Sequence, residues 1–139
     1  MSSKSIFTCV ICLLAFFPTS SLAGSPEINA TKAAEAWLAL VDMSQYGKSW
    51  EEAAVAFKKG VTIEHWSQTM LTGRGPLGKV LSRKLLSAQY HASLPGAPDG
   101  EYVIIQFETS FENKKSSTER VTPMKEKDGS WRVSGYYIY

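Results

Sequence analysis

Beyond residue 24, the first half of the chain places its apolar side chains three or four positions apart, which is the period of a helix. Ser25-Pro26-Glu27 combines an N-cap residue, a proline at the first helical position and an acid in the first turn, and so predicts a helix over about residues 26–45. Ser49-Trp50-Glu51-Glu52 is a capping box that predicts a second, short helix. Thr62 is the expected cap of a third helix, which the glycines of residues 73–78 end.

From Val80 onward the period changes to two, as expected of strands with one buried face. Residues 94–100 contain two prolines and two glycines and predict a loop, and Lys127-Asp128-Gly129-Ser130 is a strong hairpin-turn sequence. The order of elements predicts an α+β domain in which three N-terminal helices pack on a curved four-stranded antiparallel meander sheet.

The two hairpin turns, at Lys114-Lys115 and at Asp128-Gly129, predict which strand residues face the helices. The predicted pairs are Arg120 with Tyr137, Met124 with Val133 and Thr109 with Arg120. Both turns assign the same faces and direct Arg120 inward, although a bulge near Pro123 would exchange the faces beyond it. The predicted inner surface consists of Val103, Ile105, Phe107, Phe111, Met124, Trp131, Val133 and Tyr137.

The first 23 residues predict a secretion leader. Lys4 is followed by the apolar run Ile6–Phe17, which is too short to span a bilayer, and Ser21 and Ala23 place small residues where a signal peptidase cleaves. We therefore expect a signal peptide over residues 1–23 and a single domain over residues 24–139, periplasmic or secreted, with no stable membrane anchor after cleavage.

Charge and composition exclude several classes of function. Cys9 and Cys12 both lie in the leader, so the mature chain has no disulfide and no thiolate nucleophile. The net charge is only +2, and the chain lacks the basic stripe that is typical of a nucleic-acid-binding protein. The two histidines lie in different elements without a second ligand at helical spacing, so no metal or other cofactor is expected. Residues 73–78 match the G-x-G-x-x-G spacing, but a helix precedes them and a strand follows, the reverse of a dinucleotide site.

Four side chains are candidates for ligand binding, namely Arg120, Tyr137, Arg74 and Trp66. Arg120, turned inward beside Tyr137, either binds an anion at the mouth of an aromatic pocket or forms a structural ion pair with Glu35 or Asp42. Arg74 lies between two glycines, where its guanidinium can meet a carboxylate or phosphate. Trp66 lies on an inward face, where core packing is the alternative to stacking on a ligand.

Several segments resemble a family of exported bacterial proteins known as domain of unknown function 4019. The segments are Ala36-Trp37-Leu38, Tyr46-Gly47-Lys48-Ser49-Trp50, Trp66, Arg74-Gly75-Pro76-Leu77-Gly78, Arg83, residues 94–100 and Gly129-Ser130-Trp131-Arg132-Val133-Ser134-Gly135-Tyr136. The resemblance covers nearly all of the mature chain and implies no established activity. Helices followed by a curved antiparallel sheet are also similar, in architecture alone, to cystatin-like and nuclear transport factor 2-like cones.

The sequence favours a non-enzymatic accessory module that binds a small organic anion or a protein partner. One alternative is a small cone-fold lyase or isomerase in which Asp42 and a pocket tyrosine, Tyr137 or Tyr90, act as acid and base. Another is a structural homodimer formed through the outer face of the last strand, where Tyr136, Ile138 and Val121 are expected to lie.

Overall fold

The computed structural model describes residues 24–139, so the predicted leader lies outside the described residues. The helices are α1 (Pro26–Asp42), α2 (Tyr46–Glu52), α3 (Val55–Gly60) and α4 (Ile63–Gly73), followed by a 3-10 turn at Gly75–Leu77. The strands are β1 (Val80–His91), β2 (Tyr102–Phe111), β3 (Lys114–Lys125) and β4 (Trp131–Ile138). The strands form one antiparallel sheet in the order β1-β2-β3-β4, which confirms the predicted α+β class and meander.

Two of the predicted helix caps are present and one is not. Ser25 Oγ accepts the Ile28 amide at 3.2 Å, and Thr62 Oγ1 accepts the His65 amide at 3.2 Å. The capping box at Ser49 was wrong, because α2 already begins at Tyr46 and Ser49 is buried inside it. The backbone then extends at Ala53 and Ala54, whose amide donates to Val133 O at 2.8 Å, and this break makes four helices of the predicted three.

One face of the sheet packs against the helices and builds the core. The inward side chains of β2 alternate with partly exposed ones, as a strand with one buried face requires. The main core cluster consists of Ala30, Ala34, Trp37, Leu38, Val41, Tyr46, Trp66, Met70, Val103, Ile105, Phe107, Val121 and Val133.

The predicted register of β2 and β3 was wrong, and Arg120 does not face the core. The turn lies at residues 112–113, because Phe111 pairs with Lys114. One extra residue in β3 before Ser117 then shifts the ladder, so that Arg120 pairs with Gln106 on the outer face. Its neighbour Glu119 faces inward instead and is fully buried.

A second bulge, in β4, accounts for the misplaced tyrosine. Arg120 pairs with Tyr137 as predicted, but Pro123 pairs with Val133 and Thr122 with Gly135, which leaves Ser134 as an extra residue. Proline lacks the N–H that a regular ladder needs, so the irregularity falls beside it. Beyond the bulge Tyr136 faces inward and Tyr137 is 61% exposed.

Two further expectations were wrong. The turn between β3 and β4 holds three residues, since the Glu126 amide donates to Ser130 O, and the pairs next to it are shifted by one. Met124 pairs with Arg132 and not with Val133. Val121 is buried in the core, and Tyr136 packs against that core, so neither contributes to an apolar outer surface on the last strand. The homodimer face expected there does not exist in that form.

Candidate functional site

Glu119 is the centre of a buried network of charged and hydroxyl groups. Its Oε1 accepts hydrogen bonds from Arg83 Nε at 2.8 Å and from Thr109 Oγ1 at 2.5 Å. Its Oε2 accepts from the Tyr136 hydroxyl and from Arg83 Nη2, the latter at 3.3 Å. These donors come from β1, β2 and β4, so Glu119 on β3 joins all four strands on the inner face.

Arg83 connects this carboxylate to the end of α1. Its Nη1 donates to Asp42 Oδ2 at 2.8 Å and its Nη2 to Asp42 Oδ1 at 3.0 Å, a bidentate pair with the last residue of the helix. Burial opposes the charge of Arg83, but the hydrogen bonds to Asp42 and Glu119 outweigh it, so the pKa of the guanidinium lies above its ordinary value.

Arg74, the cation expected to be free, is buried and already occupied. Its Nη1 donates to Gly78 O at 2.7 Å and its Nη2 to Asp42 Oδ1 at 3.3 Å. The guanidinium carbon lies 4.6 Å from the centre of the Phe111 ring. Gly78 has φ +78°, a left-handed conformation that favours glycine, and this turn directs its carbonyl to Arg74.

The hydroxyl of Tyr136 supplies a neutral donor to the network. Burial raises the pKa of Tyr136 above its ordinary value, and the adjacent negative charge of Glu119 raises it further. The tyrosine therefore stays protonated and donates to Glu119. Two guanidinium groups, of Arg74 and Arg83, thus offset two carboxylates, of Asp42 and Glu119. The arrangement can hold helix and sheet together. All three nitrogens of the Arg83 guanidinium donate hydrogen bonds, whereas Arg74 Nε is buried without a partner among the described residues.

An apolar groove runs between α4 and the second half of β4, and we call it the α4–β4 groove. One section, about 270 Å³ in volume, is lined by Trp66, Thr69, Met70, Gly73, Arg74, Tyr136, Tyr137 and Ile138. An adjoining section of about 390 Å³ shares four of these residues and reaches α3 at Phe57 and Val61. The two sections form one continuous depression beside the edge of the sheet.

The wall of this groove is held rigidly. Trp66 Nε1 donates to Ser49 Oγ at 3.0 Å, and the Trp66 ring meets the Phe57 ring edge-on, with 4.9 Å between centres. The Ser49 carbonyl also accepts a hydrogen bond from Trp37 Nε1 at 2.8 Å. The Trp37 ring packs against the Tyr136 ring, with 5.3 Å between ring centres. The aromatic side chains are therefore fixed by packing and by hydrogen bonds.

The floor of the groove borders a free strand edge. Val133 O accepts the Ala54 amide, which covers the start of β4. From Gly135 to Ile138 no backbone hydrogen bond from a helix or loop reaches the outer edge of β4 within the described part of the chain. Unpaired N–H and C=O groups thus lie next to an apolar depression.

Three of the four predicted site residues meet in this groove. Trp66, Arg74 and Tyr137 line its 270 Å³ section. Arg120 lies on the opposite face of the sheet, with its guanidinium carbon 5.5 Å from the centre of the Tyr139 ring. The placement of Arg120 inside a pocket was wrong, while a ligand role for the other three remains a prediction.

Sequence reasoning missed the two residues at the centre of the network, Arg83 and Glu119. Arg83 was quoted only as part of a family resemblance, and Glu119 was not selected, because the predicted register turned its neighbour Arg120 inward. The alternating pattern around Glu119 was the available signal, and what it lacked was the bulge in β3 before Ser117 that sets the faces.

The predicted acid and base do not meet. Asp42 accepts hydrogen bonds from Arg74 and Arg83 and from no tyrosine within residues 24–139. Tyr90 donates instead to Glu101 Oε1 at 2.7 Å. Over the same residues no three His, Cys, Asp or Glu side chains lie close enough together to hold a metal ion.

The fold and site define a small α+β domain with four helices on one face of an open antiparallel sheet and a neutralised charge network between them. Residues 33–136 match the family described as "Protein of unknown function (DUF4019)", and the chain belongs to that family. The match confirms the family resemblance drawn from the sequence. No curated protein matches the chain. None of the described helices is both long enough and apolar enough to cross a membrane.

Proposed function

We propose that this chain is a non-enzymatic binding module whose α4–β4 groove takes an extended apolar segment of a protein partner. The observation that carries the proposal is the coincidence of a rigid aromatic groove with an unpaired strand edge. An extended peptide can add to such an edge through backbone hydrogen bonds, while its alternate side chains enter the depression.

A peptide fits this site better than a small organic anion. Arg74, the guanidinium group that lines the groove, already binds Asp42, and displacing this partner would leave a carboxylate less compensated. Most of the groove lining is apolar or aromatic. Apolar side chains with a free backbone are therefore its natural complement.

The same contacts favour binding over catalysis. An acid or base must exchange protons with a substrate, but Glu119 is enclosed by four hydrogen bonds and Asp42 by three. A lyase or isomerase with Asp42 as its acid would first have to break its bidentate pair with Arg83.

We also propose that the module works outside the cytoplasm of a bacterium, in the periplasm or beyond. The support is the leader-like pattern of residues 1–23, which lie outside the described residues, together with the family resemblance. The likeness to cystatin-like and nuclear transport factor 2-like cones is part of this proposal and rests on architecture alone.

Thr69 provides a sharp test, because it is exposed and lines both sections of the groove. Peptides selected from a displayed library on the purified protein are measured by fluorescence anisotropy against Thr69→Trp, which fills the groove. Thr72→Trp, on the same helix but outside the groove lining, is the matched control.

We expect the first variant to weaken binding at least about ten-fold, about 1.4 kcal/mol or more, and the control to leave it unchanged. Peptides that bind both variants equally would overturn the proposal. So would a library that yields no peptide with a dissociation constant below roughly 1 mM.

A further inference from the structure

The other edge of the sheet, β1, carries an unusual row of exposed apolar side chains. Leu81, Leu85, Leu86 and Tyr90 are 55%, 45%, 52% and 38% exposed. Edge strands of single-chain proteins are commonly blunted by charges, prolines or a covering segment, because their free backbone pairs readily with other strands. Of the charged residues on β1, only Lys84 is exposed.

Two bulges set the directions of the β1 side chains. Val80 pairs with Phe111 and Ser82 with Ser110, which leaves Leu81 unpaired, and a second shift between Leu85 and Ser87 leaves Leu86 unpaired. The faces therefore alternate regularly from Ser82 to Leu85 and again from Ser87 onward, with one extra residue between these two stretches.

The second bulge makes residues 82–89 of β1 symmetric in their faces about the midpoint of Leu85 and Leu86, as their partners on β2 show. The match ends there, because Val80 and His91 lie on opposite faces. The partners of Arg83 and Ala88 on β2 both face inward. The β2 partners of Lys84 and Ser87 both face outward, and so do those of Ser82 and Gln89. A regular strand lacks this property, because residues placed symmetrically about such a midpoint would lie on opposite faces.

From this symmetry we infer that the chain forms a two-fold homodimer in which the β1 edges of two copies pair antiparallel. The axis passes between Leu85 and Leu86, perpendicular to the sheet, and joins two four-stranded sheets into one of eight strands with all helices on the same side. Leu85 then meets Leu86 of the second copy, and Leu81 meets Tyr90.

The charges on β1 are compatible with this register. Lys84 meets Ser87 of the second copy, and Arg83 meets Ala88, so no like charges are opposite each other. The charge of Arg83 is already bound by Asp42 and Glu119 on the inner face. A second copy of this chain would thus cover the apolar row of this edge and pair with its free backbone groups.

Sedimentation equilibrium of the full-length protein and its variants tests the dimer. In Leu85→Lys/Leu86→Lys each lysine meets a lysine across the axis, and we expect the dimer dissociation constant to rise on the order of a hundred-fold. In Leu85→Lys/Leu86→Glu each lysine meets a glutamate instead, so most of that loss should be recovered. Leu71→Lys, an exposed site on α4, is the surface control and should not change the constant. Circular dichroism establishes that each variant is folded.

Cysteine pairing tests the register independently of stability. In a background where Cys9 and Cys12 are serine, a mixture of Lys84→Cys and Ser87→Cys chains should form a crosslink between copies under mild oxidation. Either variant alone should form far less.

A wild type that stays monomeric at about 100 μM overturns the inference, because folded-state homodimers of this kind should assemble there. A dimer that tolerates the double lysine variant, or crosslinks equally in both single variants, also overturns it. Loss of peptide binding in the groove would leave this dimer untouched, because the groove lies at the opposite edge.

Discussion

Glu119 shows how one residue can organise the inner face of this sheet. It has no exposed surface, yet it accepts four hydrogen bonds from three other strands. A buried carboxylate is stable only when its charge is paired and its oxygens are bonded, and Arg83, Thr109 and Tyr136 meet both conditions. The same saturation explains why Glu119 is a poor candidate for catalysis.

Replacing Glu119 with glutamine should destabilise the protein markedly. The amide keeps the shape of the side chain but removes the charge that compensates buried Arg83, so we expect a loss of about 3 kcal/mol in the free energy of unfolding. Urea denaturation provides the measurement. Glu108→Gln, on the outer face of β2, is the control and should cost under about 0.5 kcal/mol. Equal shifts for the two variants would contradict the structural role of Glu119.

The raised pKa of Tyr136 predicts a pH dependence of stability. The folded state holds the phenolic proton more tightly than the unfolded state, whose tyrosine has its ordinary pKa of 10.0. Unfolding therefore releases a proton in alkali, and the contribution of Tyr136 is fully present below pH 10 and declines as the pH rises above it.

Tyr136→Phe has no proton to release and should lose stability less steeply with pH. Urea midpoints of wild type and variant between about pH 9 and pH 11 give the comparison. Parallel curves for the two proteins would mean that Tyr136 is not the group responsible.

Among the elements, α1 depends on its last residue for its attachment to the sheet. Asp42 ends the helix and holds two arginines, one from β1 and one from the segment after α4. It lies in the last turn, where the helix dipole disfavours a negative charge, so the arginines must outweigh that effect. Asp42 thus acts as a clamp between three elements.

Asp42→Asn should loosen this clamp without unfolding the helix. We expect a loss of about 1–3 kcal/mol, since Asp42 is partly exposed while Arg83 keeps Glu119. Hydrogen exchange should speed up in the last turn of α1. Glu35→Gln, at an exposed site on the same helix, should leave the exchange rates there unchanged. Exchange that is equally fast in both variants would refute the clamp.

The order and type of the elements follow from local sequence, whereas the faces of the strands do not. The caps at Ser25 and Thr62 and the hairpin between β3 and β4 depend on neighbouring residues and were predicted. The turn of that hairpin was predicted one residue too short, because the Glu126 amide, not Lys127, pairs with Ser130. The inward positions of Glu119 and Tyr136 depend on two bulges, one of them beside Pro123. Each bulge exchanges the faces of all residues beyond it, and its position is set by tertiary packing that a local pattern does not encode.

The candidate site was partly predictable for the same reason. Trp66 and Arg74 were selected from their own elements and meet in the α4–β4 groove. Tyr137 also lines this groove, although its predicted inward face was wrong. Arg120 depended wholly on the register and lies elsewhere.

At the scale of the whole molecule, the two sheet edges have different chemistry. The β4 edge borders a groove walled by aromatic side chains, and the β1 edge carries an apolar row that repeats about a point. A dimer through β1 would leave both grooves at the far ends of an eight-stranded sheet, where each can take a partner. The two proposals are thus compatible, and a dimer would bind two partner segments at once.

The whole chain also carries a prediction about its processing. The apolar run Ile6–Phe17 is too short for a bilayer span, and small residues at Ser21 and Ala23 fit the peptidase, so the exported protein should begin at Gly24. Intact mass of the protein recovered from the export compartment gives the answer. Ala23→Arg places a large charged residue at the cleavage position and should accumulate the uncleaved precursor. Leu22→Ala, one position away where the peptidase is tolerant, should be processed normally. An exported wild type that retains residues 1–23, or equal processing of both variants, would show that this segment is not a cleaved leader.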